Sequence, residues 1–360
     1  MSLKSLIRCC RTYFSDTATQ EMLDEWRPMM CPFDVTMGKA MSYFEMFLPT
    51  FDCFGKQEKT YQLWFDEFMS FWRTCSNGPP WEPNVFSLYA RLADHNIGMI
   101  DWEPYIPAFF TRIQKSFNLP VLYKKISVAS KLQPLDSGHI SRWIVATYGR
   151  GSSTQKFLDQ QLKALESYFH PANVGGHTFK LMTFLMRLTQ AFVRRVHRER
   201  YAKPKWGTAI ADECKLSDED IDSFVRSIQP VVLNAMYSNS MMTTGPLQHL
   251  ATLAPHIVIP PLIERIYAAY ETLTEPHKLL ASLNSVVSVA RTLVYPGPSY
   301  KEGPTHVIPL LMMSLPGIDP NDIRKAALTF QLISTFCTLV PIVDSSSSIT
   351  IGGVNNDLTE

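Results

Sequence analysis

Two segments of this chain carry the same unusual pattern: "PHIVIPPLIERI", from Pro255 to Ile266, and "PTHVIPLLMMSL", from Pro304 to Leu315. Pro255 and Pro260 of the first correspond to Pro304 and Pro309 of the second, an offset of 49 residues. "EPYIPAFFTRI", with Ile106 and Pro107, is a looser third copy. A proline inside a helical pattern removes an amide donor, so its return at matching places marks one structural unit used again. Between the two close copies lies one further helical pattern, "HKLLASLNSVVSVARTLV". A repeat of about 40–50 residues holding two helices is the signature of a HEAT-type array, whose units bury their apolar faces only against neighbours.

The stretch from Pro79 to Ile113 shows such a unit residue by residue. Val85, Leu88, Tyr89 and Leu92 fall at i, i+3, i+4 and i+7, one stripe of an amphipathic helix. Ile106, Phe109, Phe110 and Ile113 repeat that spacing. Between them Gly98 can take the left-handed conformation that ends a helix, and Asp101 suits the next N-cap. The same patterning predicts six helix pairs, at about 33–75, 81–118, 137–170, 176–238, 240–273 and 276–314, and a further helix at 320–341. Helix starts are marked by capping-box spacings at Ser152/Gln155 and Ser217/Asp220, and by Asp319 before Pro320 with Asp322 following. The fold class expected is all-α: an α-solenoid of HEAT-like antiparallel helix pairs over residues 31–344. A partly ordered segment, 1–30, precedes it, and a polar low-complexity tail, 345–360, follows.

Composition narrows the function. With 34 Lys and Arg against 33 Asp and Glu, the net charge of +1 gives no global pull toward nucleic acid or membranes. Seven cysteines without a CxxC pair suit a reducing compartment. The start "MSLKSLIRCCRTYF" lacks a signal peptide's apolar core, and no apolar run approaches the roughly 18 residues that span a bilayer. A soluble intracellular protein is expected.

Catalytic patterns are missing from the sequence. The nine histidines form no HExxH or Cys/His cluster, and His170 and His177 lack a third ligand nearby. "YGRGSSTQK" has glycines before a helix start but no Gly-Lys-Ser/Thr ending, so it reads as a capped loop. There is no GxSxG, and no carboxylate stands alone in an apolar run. The expectation is a non-enzyme with no catalytic residue, no required cofactor and no metal. The aromatic stripe Trp64, Phe65, Phe68 and Trp72 reads as core between stacked pairs.

One feature stands out. "MRLTQAFVRRVHRERYAKPK", Met186 to Lys205, carries seven Arg or Lys against one Glu. An apolar seam is read through Phe179, Met182, Met186, Val193 and Val196. Arg187, Arg194 and Arg198 cluster away from it, Arg195 beside them, and Lys203 and Lys205 follow after Tyr201. Two readings fit: a solvated cationic face favoured by the helix dipole, or a docking site for a polyanion such as an inositol polyphosphate, nucleic acid or an acidic protein segment.

"CPFDVTMGKAMSYFEMFLPT", "LWFDEFMSFW", "LYARLADHNIGMIDWEPYIPAFFTRI" and above all "LPGIDPNDIRKAALTFQLISTFCTLVPIVD" resemble the middle region of the proteasome activator complex subunit 4 family, from about residue 30 to 344. The resemblance implies a HEAT-repeat dome that caps the core proteasome and opens its gate without ubiquitin or ATP. It further implies degradation of acetylated histones in DNA repair and spermatogenesis, inositol phosphates at openings of the dome, and residence in nucleus and cytoplasm. The core proteasome and acetylated histones are the partners implied, with no membrane and no direct nucleic-acid contact. The family is several times longer, and its gate-opening tail carries a penultimate tyrosine. This chain ends Asp357, Leu358, Thr359, Glu360, so a fragment, a truncated gene product or a short isoform is expected. A free-standing HEAT adaptor for a peptide or acidic partner is the alternative.

Overall fold

A computed structural model describes residues 3–51, 59–75, 78–119, 134–149, 151–171, 173, 175–202, 210–237, 244–271, 276–295 and 297–341. Among these residues lie fifteen α-helices and no strand. They fall into two compact units, one of residues 1–165 and 175–220, the other of 166–174 and 221–360.

In the first unit, α1 (Leu3–Cys10) and α2 (Asp16–Trp26) precede α3 (Thr36–Phe47) and α4 (Phe65–Thr74). Then come α5 (Glu82–His95) with α6 (Ile106–Ser116), α7 (Ser137–Thr147) with α8 (Thr154–Leu165), and α9 (Thr178–Arg200). Alternate helices make one layer: α1 packs on α3, α3 on α5, α5 on α7 and α7 on α9, while α6 packs on α8 behind them. This i-to-i+2 stacking is the solenoid solution to a pair that cannot bury its own apolar face. In the second unit, α10 (Asp218–Ala235), α11 (Thr244–Leu253), α12 (Pro255–Glu271), α13 (Pro276–Val294), α14 (Val307–Ser314) and α15 (Ile323–Leu339) follow the same rule. There α11, α13 and α15 stack. The Gln229 side chain of α10 donates to the Ile257 carbonyl of α12 at 2.9 Å, and Arg265 of α12 donates back to the Leu233 carbonyl at 2.8 Å. The two proline-marked segments are the second helices of consecutive pairs, α12 and α14.

The apolar stripes are buried as spaced: Val85, Leu88, Tyr89 and Leu92 on α5, and Ile106, Phe109, Phe110 and Ile113 on α6. Aromatic rings join successive pairs. Trp72 of α4 lies 4.4 Å from Phe109 of α6, and Phe109 stacks on Trp143 of α7 at 4.2 Å and 8°. Trp64, Phe65, Phe68 and Trp72 are therefore core. Gly98 adopts φ +79°, and a Cβ there would meet Cys214 Sγ at 2.2 Å, so both backbone and space require glycine.

Of the expected helix starts, one is made as spaced and the others shift. Ser217 and Asp220 make the reciprocal capping box, with Asp220 N donating to Ser217 Oγ at 3.1 Å and Ser217 N to Asp220 Oδ2 at 2.9 Å. At α8 the Ser152 hydroxyl accepts from Thr154 N, and Glu103 accepts from Ser153 N at 2.7 Å. A carboxylate from the preceding pair thus takes an amide at the start of that helix. Asp101 closes a turn onto Glu103 N, and α6 starts only at Ile106. Asp319 likewise accepts from Asn321 N, and Asp322 caps α15 through Lys325 N. In both cases the aspartate makes a local turn one step before the helix. The segment 1–30 contains α1 and α2, while the tail 345–360 lies outside the described residues.

One carboxylate is more deeply placed than its sequence context implied. Glu82, at the first turn of α5, is 6% exposed. It accepts from Arg112 Nη1 at 2.7 Å and Trp72 Nε1 at 3.1 Å, and the Arg112 guanidinium lies 4.7 Å over the Trp72 ring. Burial pushes the Glu82 carboxyl up, against the pull of Arg112. A buried pair is costly to break from one side, so Arg112→Met is expected to destabilise by about 3–5 kcal/mol. Adding Glu82→Leu should recover much of that loss in urea unfolding. A loss under about 1 kcal/mol would contradict a buried charge.

His95 supplies a pH test. Its Nδ1 lies 2.7 Å from Thr50 Oγ1, the Phe51 ring meets it edge-on, and burial lowers its pKa to about 4. The folded chain therefore holds the neutral ring, and the unfolded chain takes up the proton first as pH falls. Its contribution is intact above about pH 6.5 and is lost progressively toward pH 4, by up to roughly 3 kcal/mol. Urea titrations at pH 7.5 and 5 should show His95→Gln to be the less acid-sensitive protein.

Candidate functional site

Helix α9 holds the basic segment, and its buried stripe is Leu181, Leu185, Leu188, Phe192 and Val196, with Phe184 and Thr189 alongside. The expected seam holds in part: Met182 and Val196 are buried, whereas Phe179 is 68% exposed and Met186 and Val193 lie half-buried at the flank. The buried face overlaps the one the spacing suggested but is turned from it, because Leu and Phe fill the space against α7.

That rotation separates the basic residues. Arg195 falls inside, 4% exposed. Its Nη1 donates to the carbonyls of Val145 and, at 2.6 Å, Tyr148, at the C-terminal end of α7. Its Nη2 donates to Cys214 O at 3.1 Å, and its Nε to Glu199 Oε1 at 2.7 Å. Glu199 then accepts from Leu216 N at 2.8 Å. Arg195 is thus a cap for α7 supplied by α9, satisfying carbonyls that a helix end leaves orphaned. It is corrected from candidate ligand contact to structural residue, since these contacts commit Nε and both terminal nitrogens.

Arg187, Arg194 and Arg198 stay exposed and line one cleft of about 380 Å³. Arg142 of α7 joins them, a residue the sequence reading did not single out. It is the one Arg or Lys in "SGHISRWIVAT", and a lone arginine beside the apolar run Trp143 to Ala146 was the available signal. Facing these four arginines are Asp94 of α5 and Asp136. Asp136 caps α7, accepting from Gly138 N at 2.8 Å and His139 N at 3.2 Å. Asp94 Oδ1 accepts from Arg198 at 3.0 Å, and its Oδ2 lies 3.6 Å from Arg142 Nε. Burial lowers the His139 pKa, so that ring adds no charge near neutrality. With Glu199 turned inward onto Arg195, the cleft keeps a local excess of positive charge. Lys203 and Lys205 lie outside the described residues. Among the described residues no group of His, Cys, Asp and Glu could hold a metal ion, and no helix is long and apolar enough to cross a membrane.

The sequence profile of proteasome activator complex subunit 4, mid HEAT repeats region, matches residues 158–356. The chain belongs to the proteasome activator complex subunit 4 family. Proteasome activator complex subunit 4 of Homo sapiens is 51% identical and that of Xenopus laevis 50%, each over 99% of this chain. Proteasome activator subunit 4 of Arabidopsis thaliana is 26% identical over 96% of it. In each case the match covers 20% of the relative, so the chain spans about a fifth of their length. Membership in a HEAT-repeat family agrees with the stacked pairs of both units.

The two arginines that adjoin in sequence should separate in experiment. Arg195→Met removes the α7 cap and leaves Glu199 unpaired in the interior, an expected loss of about 3–5 kcal/mol. Arg194→Gln, at an exposed site, should stay within about 0.5 kcal/mol of the parent. Thermal unfolding of the two variants checks this, and equal losses would contradict the assignment.

Proposed function

We propose that this chain is a non-enzymatic HEAT-repeat segment of a proteasome activator, acting within a longer polypeptide that caps the core proteasome. The observation carrying the reading is the identity to proteasome activator complex subunit 4 along 99% of the chain. The distribution of polar residues supports it: buried charges fasten helices to one another, Glu82 to Arg112 between α5 and α6, Arg91 to Glu45 between α5 and α3, and Arg195, balanced by Glu199 on its own helix, to the α7 carbonyls. A wall segment needs this, since its task is to hold curvature and enclose a path for substrate. In this reading the assembled activator works in nucleus and cytoplasm and promotes degradation without ubiquitin or ATP, with acetylated histones among its substrates.

The cleft of Arg142, Arg187, Arg194 and Arg198 is read as a site for an inositol polyphosphate. Guanidinium groups from two helices suit phosphate oxygens bidentately, and several phosphates on one small ring match several arginines around one cleft.

The full-length gene product, purified and added to core proteasomes, is expected to raise hydrolysis of short fluorogenic peptides several-fold without ATP. The 360-residue chain alone should leave the rate unchanged. No stimulation by the full-length protein would overturn the activator reading and favour a free-standing adaptor.

A further inference from the structure

We infer that Asp94 is the cleft's own competitor for its arginines, a carboxylate that an incoming polyphosphate must displace from Arg142 and Arg198. The inference rests on the reading of the cleft as a polyphosphate site. Its geometry is specific: one oxygen of Asp94 faces Arg198 of α9 at 3.0 Å, and the other faces Arg142 of α7 at 3.6 Å. A single carboxylate from α5 therefore draws guanidinium groups from two other helices to one point, as a phosphate would.

Neighbouring charges are otherwise engaged. Arg91, one turn earlier on α5, is turned to Glu45 at 2.8 Å and to the Glu45 carbonyl at 3.0 Å. Asp136 is held by the α7 amides, and Arg187 donates to Gln190 at 3.3 Å. Arg194 has no ion-pair partner among the described residues. Asp94 is 24% exposed, and Arg142 and Arg198 are 44% and 42% exposed. Ion pairs so open to water are weakly held, whereas a ligand with several phosphates engages all four guanidiniums at once. Exchange of Asp94 for the ligand is thus favourable, yet the carboxylate left behind repels the bound anion. Asp94 lowers affinity while keeping the two arginines gathered, which makes the site responsive to ligand concentration rather than permanently filled.

The test is calorimetry of the 360-residue chain with inositol hexakisphosphate, and with inorganic tripolyphosphate, at fixed ionic strength. Asp94→Asn keeps the shape and removes the charge, and should bind inositol hexakisphosphate on the order of tenfold more tightly. The gain should shrink when Arg198→Gln is added, because the released guanidinium is its source. Equal or weaker binding by Asp94→Asn overturns the inference, and so does a gain that Arg198→Gln leaves undiminished, which is a bulk field effect. Far-UV circular dichroism of each variant separates lost binding from lost fold, and Asp94→Ala serves where Asn perturbs the helix. If changing Arg142, Arg187, Arg194 and Arg198 together to Gln leaves wild-type affinity unaltered, the cleft reading itself fails, and no binding by the parent or by Asp94→Asn fails it too. Tripolyphosphate bound as tightly as the inositol compound indicates a general polyphosphate site, and Asp94→Asn must then tighten both.

Discussion

The Arg195 guanidinium is the interaction on which the basic cleft depends. It reaches from α9 to the carbonyls closing α7 and to the chain at Cys214, and Glu199 balances its charge in the interior. Helix ends leave carbonyls unsatisfied, and inside a packed array water is not at hand to solvate them. By filling that need, Arg195 adds a polar tie to the rotation of α9 against α7 that the packed Leu and Phe side chains set. The rotation then sends Arg187, Arg194 and Arg198 outward beside Arg142.

The same principle orders the rest of the first unit. Each pair offers one face to its neighbour, and the faces are joined by large rings and by charges that cross between helices. Trp72, Phe109 and Trp143 are in ring contact through three successive pairs, and Glu82 and Arg112 fasten α5 to α6 beside them. Glu45 collects Arg91 and Arg8, so that α1, α3 and α5 share one carboxylate. Burial alone would raise the Glu45 carboxyl, but Arg8, Arg91 and Arg11 outweigh it and hold it below its usual value. Such pairs do little for net stability against a well-packed apolar alternative, but they penalise every misregistered stacking in which one charge is left alone. For a solenoid built of similar helices, that selectivity matters more than strength.

Function follows from this economy of polar groups. A protein whose interior charges are consumed in registering helices has its chemistry left on its surfaces. The basic cleft is the surface feature where charge from three helices converges, and Asp94 is placed to temper it.

Much of this was legible in the chain itself. The proline-marked repeat and the i, i+3, i+4, i+7 stripes located the helices from α3 to α15, because amphipathic periodicity is a local property that one-dimensional order preserves. The capping box at Ser217 and Asp220 was equally local. The fate of the arginines was not. Arg194 and Arg195 are neighbours, yet one faces solvent and the other caps a helix about fifty residues away in sequence, at Val145 and Tyr148. Nothing in the order of residues marked Glu82 as the buried partner of Arg112. Asp319 and Asp101 read as caps and become turns. Periodicity states that a helix has a buried face. Only packing decides which 100° of it that is, and only the neighbouring helix supplies the partner that makes a charge structural or leaves it free.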